Sequence, residues 1–260
     1  MQEILLFVVS ILPVVLIGLF VYKKDREKEP TSLILSLFLA GVFSVIFVLI
    51  ISEIFISISP VLSGLKENMS LFEIAIHTFI GIAIVEEFFK WIFVYKIGWN
   101  NKEFDHIYDM IVYAVFVSLG FAAIENLFYV YQYGVYVGIM RAFLAVPGHA
   151  IFGVVMGYCM GMAKINFINN NNQNGKKYFL LSFILPVLIH GTYNFLLMTN
   201  MPILIIIFFV FIALAYKVAF KKINKLSGVN ERFKYRGSFC PNCGNKVSGF
   251  YCSKCGRKHD

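Results

Sequence analysis

The run "IAIVEEFFKWIF" (Ile82–Phe93) places Glu86, Glu87 and Lys90 in an otherwise wholly apolar stretch. On a helix Lys90, four residues beyond Glu86, shares its face, while Glu87 lies about 100° round. Lys90 can pair with either carboxylate and leave the other free to take a proton. Further on, "GFAAIENLFY" carries Glu125 and Asn126 with no Lys or Arg in the same run. "RAFLAVPGHAIFG" carries His149, and "PVLIHGTYNF" carries His190 and Asn194, four residues apart on one face. Carboxylates that accept a proton from water, beside histidines that donate to an oxyanion or a leaving amine, make a hydrolytic set. The same side chains could instead hold a catalytic zinc, whose ligands are His, Glu and water.

Each feature alone has a plainer structural reading. Glu86 and Lys90 could be an ion pair with the lysine snorkelling toward the membrane surface, which explains one carboxylate but not two. A single His in a span is more often a satisfied polar residue than a ligand. Four consecutive spans with ionisable residues near their midpoints are harder to explain that way. A charge at the bilayer centre costs about 2.5–3.5 kcal/mol on insertion scales, so such residues face the bundle interior or water.

The elements that position these residues follow from composition. The chain of 260 residues is 59% hydrophobic and 15% charged, with a mean hydropathy of +0.75. A soluble domain of this length cannot hide so much apolar surface, so the pattern predicts an all-α polytopic membrane protein. About seven spans are expected: Ile4–Tyr22, Thr31–Ile58, Leu71–Gly98, Ile107–Tyr133, Val135–Ile165, Tyr178–Met198 and Ile203–Phe220. The first has no basic n-region or small-residue cleavage site and reads as a span, not a signal peptide. Of the 23 Lys and Arg residues, 20 fall on one side of this arrangement, and only Lys66 and Arg141 fall on the other. The positive-inside rule then puts the N-terminus outside and the C-terminus in the cytoplasm of a cell-membrane protein. The net charge of +8 is mostly topology and does not call for a nucleic-acid partner. Gly153, Gly157 and Gly161 form a small-residue ridge on which a neighbouring helix can approach.

Residues 1–220 read as a transmembrane domain with a catalytic core at 70–200, followed by a basic linker, 221–237, and a module at 238–260. That module carries Cys240-x2-Cys243 and Cys252-x2-Cys255, each pair followed by glycine (Gly244, Gly256). Four thiolates in this pattern suit a tetrahedral, closed structural zinc site in a zinc ribbon. A cytoplasmic protein is a natural partner for such a ribbon. Cys159 reads as a packing residue. Glu53, Glu73, His77 and Arg141 are expected at span ends, solvated by the interface. His106 and His259 lie in polar segments, and Asp109 is placed as a partner for Lys90.

"EEFFK" (Glu86–Lys90), "FAAIEN" (Phe121–Asn126), "PGHA" (Pro147–Ala150) and "HGTYN" (His190–Asn194) together resemble the PrsW family of bacterial intramembrane proteases. The four motifs occur in order over roughly residues 70–200. More remotely they are similar to the CAAX-prenyl endopeptidases, although Lys90 comes one position early and Glu125 stands where those relatives have His. The resemblance implies hydrolysis of a peptide bond in a single-pass membrane protein such as an anti-sigma factor, a site-1-type cleavage. Glu86, Glu87, Glu125, His149, His190 and Asn194 would be catalytic, with Lys90 and Asn126 supporting them. A glutamate-activated water is favoured over zinc, because no H-E-x-x-H pair is present. An ion-coupled transporter or an inert membrane scaffold are the competing classes.

Overall fold

The computed structural model describes residues 2–59, 61–62, 69–228, 240, 242–243, 245 and 252–257, all helical or irregular. Lys66, Gly244, His259 and linker residues 229–237 lie outside the described residues. The chain runs through α1 (Gln2–Lys24), α2 (Thr31–Ile58), α3 (Leu71–Ile76), the π-helical segment His77–Ile84, and α4 (Val85–Gly98). It continues through α5 (Ile107–Tyr133), α6 (Val135–Phe143), α7 (Ala145–Ile168), α8 (Asn172–Met198) and α9 (Pro202–Leu226).

Among the described residues, six helical stretches are long and apolar enough to cross a membrane: Glu3–Lys24, Thr31–Ile58, Ile107–Tyr133, Val135–Ile168, Asn172–Met198 and Pro202–Leu226. The expected span Leu71–Gly98 is helical from end to end, but its winding changes at His77 and again at Val85. The six helices therefore do not by themselves establish a count of seven. The outer helices turn Leu, Ile and Phe outward, with Phe7, Leu16, Leu35, Phe43, Ile206 and Phe209 all exposed. So broad an apolar exterior marks the surface that meets lipid.

The most enclosed helix is α5. Met110 through Val115 are all fully buried, as α1, α2 and α7 close round it. Glycine allows the closest approaches. A Cβ at Gly41 would run into the Val117 carbonyl, and one at Gly120 into that of Phe38, so α2 and α5 meet backbone to backbone. On the other side, a Cβ at Gly153 would stand 2.9 Å from the Ala114 carbonyl oxygen, and one at Gly157 would strike that of Met110. The Gly153–Gly157–Gly161 ridge thus packs α7 on α5, as expected of small residues in a membrane bundle.

The expected fifth span is divided at Leu144. Proline has no N–H, so Pro147 cannot donate to the Phe143 carbonyl and its ring crowds that carbonyl. The freed oxygen accepts instead from the Tyr216 hydroxyl of α9 at 2.6 Å. The nine-residue α6 thereby becomes a separate short helix whose last turn carries Arg141.

At the other end of α5 a second polar region gathers. His106 caps α5, and the Asp109 carboxylate accepts from the backbone N–H groups of Asp105 (2.9 Å) and His106 (2.6 Å). The imidazole of His106 is held toward its charged form by the Asp105 carboxylate. Burial pushes the Glu29 carboxyl up to about 8 and raises that of Asp25.

Candidate active site

Lys90 is fully buried and joins the site together. Its ammonium donates to Glu87 Oε1 at 2.8 Å and Glu86 Oε2 at 3.3 Å, and lies 3.2 Å from His149 Nδ1. It also sits 4.0 Å from the centre of the Phe121 ring, a favourable place for a desolvated cation. The π-helical segment just before α4 resets the phase of the helix, since its i→i+5 winding turns less per residue. Glu86, Glu87 and Lys90 fall within an arc of about 100° on the regular helix α4 and all three are buried, the winding before Val85 setting the direction in which that arc faces.

Glu87 is the more confined carboxylate. It is fully buried, and its Oε1 accepts from both Lys90 and His190 Nδ1, the latter at 2.9 Å. An ionised carboxylate only accepts, so Nδ1 of His190 carries the proton and Nε2 is left for other partners. Phe152 stacks on the His190 ring at 4.7 Å and fixes its plane.

Glu125 meets His149 from the far side. His149 Nε2 lies 2.7 Å from Glu125 Oε2. Because an ammonium can only donate, His149 Nδ1 accepts from Lys90 and Nε2–H donates to Glu125. Arg141, expected at the interface, instead reaches down from α6 and pairs with Glu125 Oε2 at 3.0 Å. Its Nε–H donates to Asn126 Oδ1 at 2.9 Å, and its guanidinium lies over Tyr129 at 4.0 Å. Asn126 in turn donates to the Ser10 carbonyl at 2.7 Å, which anchors the network on α1. Arg141 was the residue sequence reasoning missed. Its signal was being one of only two basic residues on the side of the bundle otherwise poor in them.

Asp109 does not pair with Lys90. It lies about four and a half turns before Glu125 on α5, beside the loop that follows α1, among Asp25, Glu29 and His106.

A cavity of about 460 Å³ opens on this constellation. Its polar lining is Glu86, Glu125, Arg141, His149, His190 and Asn194, among apolar walls that include Val137, Leu144 and Leu197. Glu87, Lys90 and Asn126 stand behind that lining. The ledger of charge is uneven, with three carboxylates against Lys90 and Arg141. Glu86 has the weakest cationic partner, one ammonium at 3.3 Å that is shared with Glu87.

Glu86, Glu87 and His190 each present one ligand atom within 4.8 Å of the others, the separation a metal site needs. The Lys90 ammonium already occupies their focus, however. Two unit charges 4 Å apart repel by about 4 kcal/mol at an effective dielectric of 20, and a dication would double that. As arranged, the donors suit an ammonium and do not fit a zinc ion. The tail is the opposite case. Cys240, Cys243, Cys252 and Cys255 converge with Sγ–Sγ separations of 3.5 and 3.4 Å. Tetrahedral zinc with bonds of about 2.3 Å would set its sulfurs about 3.8 Å apart, so these residues fit that ion. Gly256 takes φ +71°, and its N–H bonds the Cys252 carbonyl at 2.8 Å, forming a tight knuckle. The neighbouring Arg257 N–H lowers the Cys255 thiol to about 6.

Comparison with known proteins agrees with this geometry. The family described as "PrsW family intramembrane metalloprotease" matches residues 29–218. The chain is 37% identical to Protease PrsW of Oceanobacillus iheyensis over 188 residues, covering 72% of this chain and 80% of that protein. It is 37% identical to the Geobacillus kaustophilus Protease PrsW, covering 72% and 76%, and 32% identical to that of Bacillus subtilis, covering 71% and 78%. No solved structure matches. A multi-pass helical bundle with carboxylates and imidazoles gathered on an internal cavity, and similarity over most of its length, place this chain in the PrsW family of intramembrane proteases.

Proposed function

We propose that the chain cleaves a peptide bond in a single-pass membrane protein by means of a water activated by Glu86. The observation that carries this reading is that Glu86 alone among the three acids both lines the cavity and lacks a close cation of its own. Water held in the cavity gives a proton to Glu86 as its oxygen attacks the carbonyl carbon. His190, its Nδ1–H held by Glu87 behind it, accepts from the attacking water at Nε2 and orients it. Asn194, on the same face of α8, donates a hydrogen bond to the developing oxyanion. The C–N bond then breaks, and Glu86 returns its proton to the leaving amine. His149 and Glu125 keep Lys90 and Arg141 in place, so they position the site and do not attack. Asn126 acts through Arg141.

Further elements of the reading rest on sequence. Seven spans with the N-terminus outside and the tail in the cytoplasm satisfy the distribution of basic residues. That orientation puts the cavity, which lies nearer the α5–α6 turn at Gly134 than the 25–30 loop, toward the outer face of the cell membrane. A regulatory protein of the anti-sigma-factor kind, cut in a site-1-type step, is the proposed substrate class. The ribbon, loaded with zinc, would engage a cytoplasmic protein.

The test is cleavage of candidate single-pass substrates by purified chain in detergent or liposomes. Glu86→Gln and His190→Ala are expected to abolish cleavage with the fold intact. Retained cleavage in Glu86→Gln would defeat the assignment. A metal-dependent reaction with the same residues would require Lys90 to leave its present place. It would appear as activity lost on chelation and restored by zinc in protein lacking residues 221–260.

A further inference from the structure

The face of α7 turned away from His149 borders a groove that it shares with α1 and α9. The groove measures about 340 Å³ and has no lining residue in common with the cavity of the candidate active site. Ile17, Phe20 and Val21 line it from α1, Ala150 and Val154 from α7, and Ala219 from α9. Val21, Val154 and Ala219 are buried, whereas Leu16 and Phe220, which also border it, are exposed. The groove therefore has a sheltered floor and an open rim.

Its lining restricts what can occupy it. Every lining side chain is apolar except Tyr216, whose hydroxyl is spent on the Phe143 carbonyl at 2.6 Å. Buried water needs about 2–4 polar partners and finds none here. A helix is too thick, since one turn about 10 Å across and about 5.4 Å long fills roughly 420 Å³. A flexible hydrocarbon chain is narrow enough.

One end of the groove is basic. Lys24 lies a turn beyond Phe20 and Val21 on α1, its ammonium 5.8 Å from the centre of the Phe20 ring and 3.0 Å from Asn224 Oδ1 of α9. Lys222 of α9 lies 3.3 Å over the ring of Tyr158, a turn beyond Val154 on α7. Lysines at the ends of membrane helices often do no more than offset the helix dipole and meet the interface. These two differ because they stand where apolar walls end, and neither forms an ion pair with an acid among the described residues. Lys24 commits one of its three donors to Asn224 and keeps the others. The acids nearest in sequence are grouped elsewhere, Asp25 and Glu29 with Asp109, and Glu27 with Asp105 and His106.

We infer that this groove binds an anionic phospholipid, with one acyl chain lying among α1, α7 and α9 and the phosphate held by Lys24 and Lys222. Basic groups at the mouth of a crevice between membrane helices suit such a headgroup, and a phosphate oxygen accepts charge-assisted hydrogen bonds from ammonium groups. The far end of the chain would rest on Pro147 and Tyr216, the residues that set the corner between α6 and α7. The inference does not depend on the proteolytic reading, for no residue is shared between the two sites.

The test uses the full chain, its ribbon loaded with zinc, stripped of lipid in a neutral detergent. Phosphatidylglycerol, phosphatidylcholine or glycerol phosphate is added, and bound molecules are counted by native mass spectrometry. One phosphatidylglycerol per chain is expected to bind at least tenfold more tightly than phosphatidylcholine, and glycerol phosphate, which has no chain, is expected not to bind. Lys24→Gln with Lys222→Gln should bring phosphatidylglycerol down to the phosphatidylcholine level. Lys96→Gln with Lys102→Gln, basic residues away from the groove, should leave it unchanged. Ala219→Leu, which fills the groove from α9, should weaken both lipids. Equal binding of the two lipids, an equal loss in the Lys96 and Lys102 control, binding of glycerol phosphate, or undiminished binding in Ala219→Leu would overturn the proposal. So would a lipid-free dimer, which would mean that a second copy covers this face. If the Lys24 and Lys222 double variant does not fold, Lys24→Gln alone, expected to lose at least threefold, decides.

Discussion

Two groups of buried acids lie on one helix, about 24 Å apart along α5 at 1.5 Å per residue from Asp109 to Glu125. At the Glu125 end the acids face Lys90 and Arg141, two imidazoles and a cavity of about 460 Å³. At the Asp109 end they face a tyrosine hydroxyl, one shared imidazole and a space of about 20 Å³. The residue types are alike, and the difference lies in what compensates them. The first group supplies its own cations, fixed by aromatic rings and amide networks, and keeps one carboxylate in excess. That excess is the property a base requires. The second group is balanced locally, by Lys28 and His106 beside Asp25, by Arg26 in the cavity lining and by the backbone N–H groups that Asp109 caps. Burial of carboxylates is therefore not by itself a mark of catalysis, and the inventory of counter-charges separates the two cases.

The sharpest way to break this comparison is at Glu86. If it is the base, Glu86→Gln should lower cleavage by about 10²–10⁴-fold, measured on a single-pass substrate, with unchanged thermal unfolding. Lys90→Met removes the shared counter-ion and strands Glu87. A loss of about 3–5 kcal/mol is expected from breaking a buried pair, read from unfolding in detergent. Adding Glu87→Gln should restore part of that loss, and no restoration would mean that Lys90 acts through packing.

Smaller effects test the supports. Gly157→Ala drives a methyl into the Met110 carbonyl and should cost about 1–3 kcal/mol, as overpacking does. Arg141→Gln leaves Glu125 to His149 alone, and hydrogen bonds to charged groups are worth about 1.5–3 kcal/mol. Most of that should appear as a roughly tenfold loss in kcat/KM, less in melting temperature. Replacing Cys240 and Cys243 by Ser should release zinc from the tail, and cleavage in detergent should remain within about twofold, since the four thiolates form a separate site.

The spans and their polar midpoints were legible because long apolar runs and isolated charges are local signals. "EEFFK", "FAAIEN", "PGHA" and "HGTYN" were legible because each sits inside one helix. What the sequence left open depends on contacts across the fold. A helical wheel gave two adjacent glutamates but not which one faced a cavity, because apolar residues on every side hide the π winding before Val85. Arg141 read as an interface residue because it lies on the same apolar run as His149, and only the corner at Leu144 swings it over Glu125. Asp109 seemed a match for Lys90 on charge alone, yet its neighbours are a loop more than 70 residues earlier in the chain.

That corner has a mechanical consequence. A helix normally resists bending because its ladder must rupture, but Pro147 has already taken out the rung at Phe143. Raising α6 like a flap would break the tether to Tyr216, the hold of Arg141 on Glu125 and Asn126, and the seating of Gly138 against Val9 and Val130, while both helices stay intact. Any polypeptide that enters by lifting this flap would withdraw the guanidinium as it does so, and the chamber would be re-armed only when the flap falls shut behind it.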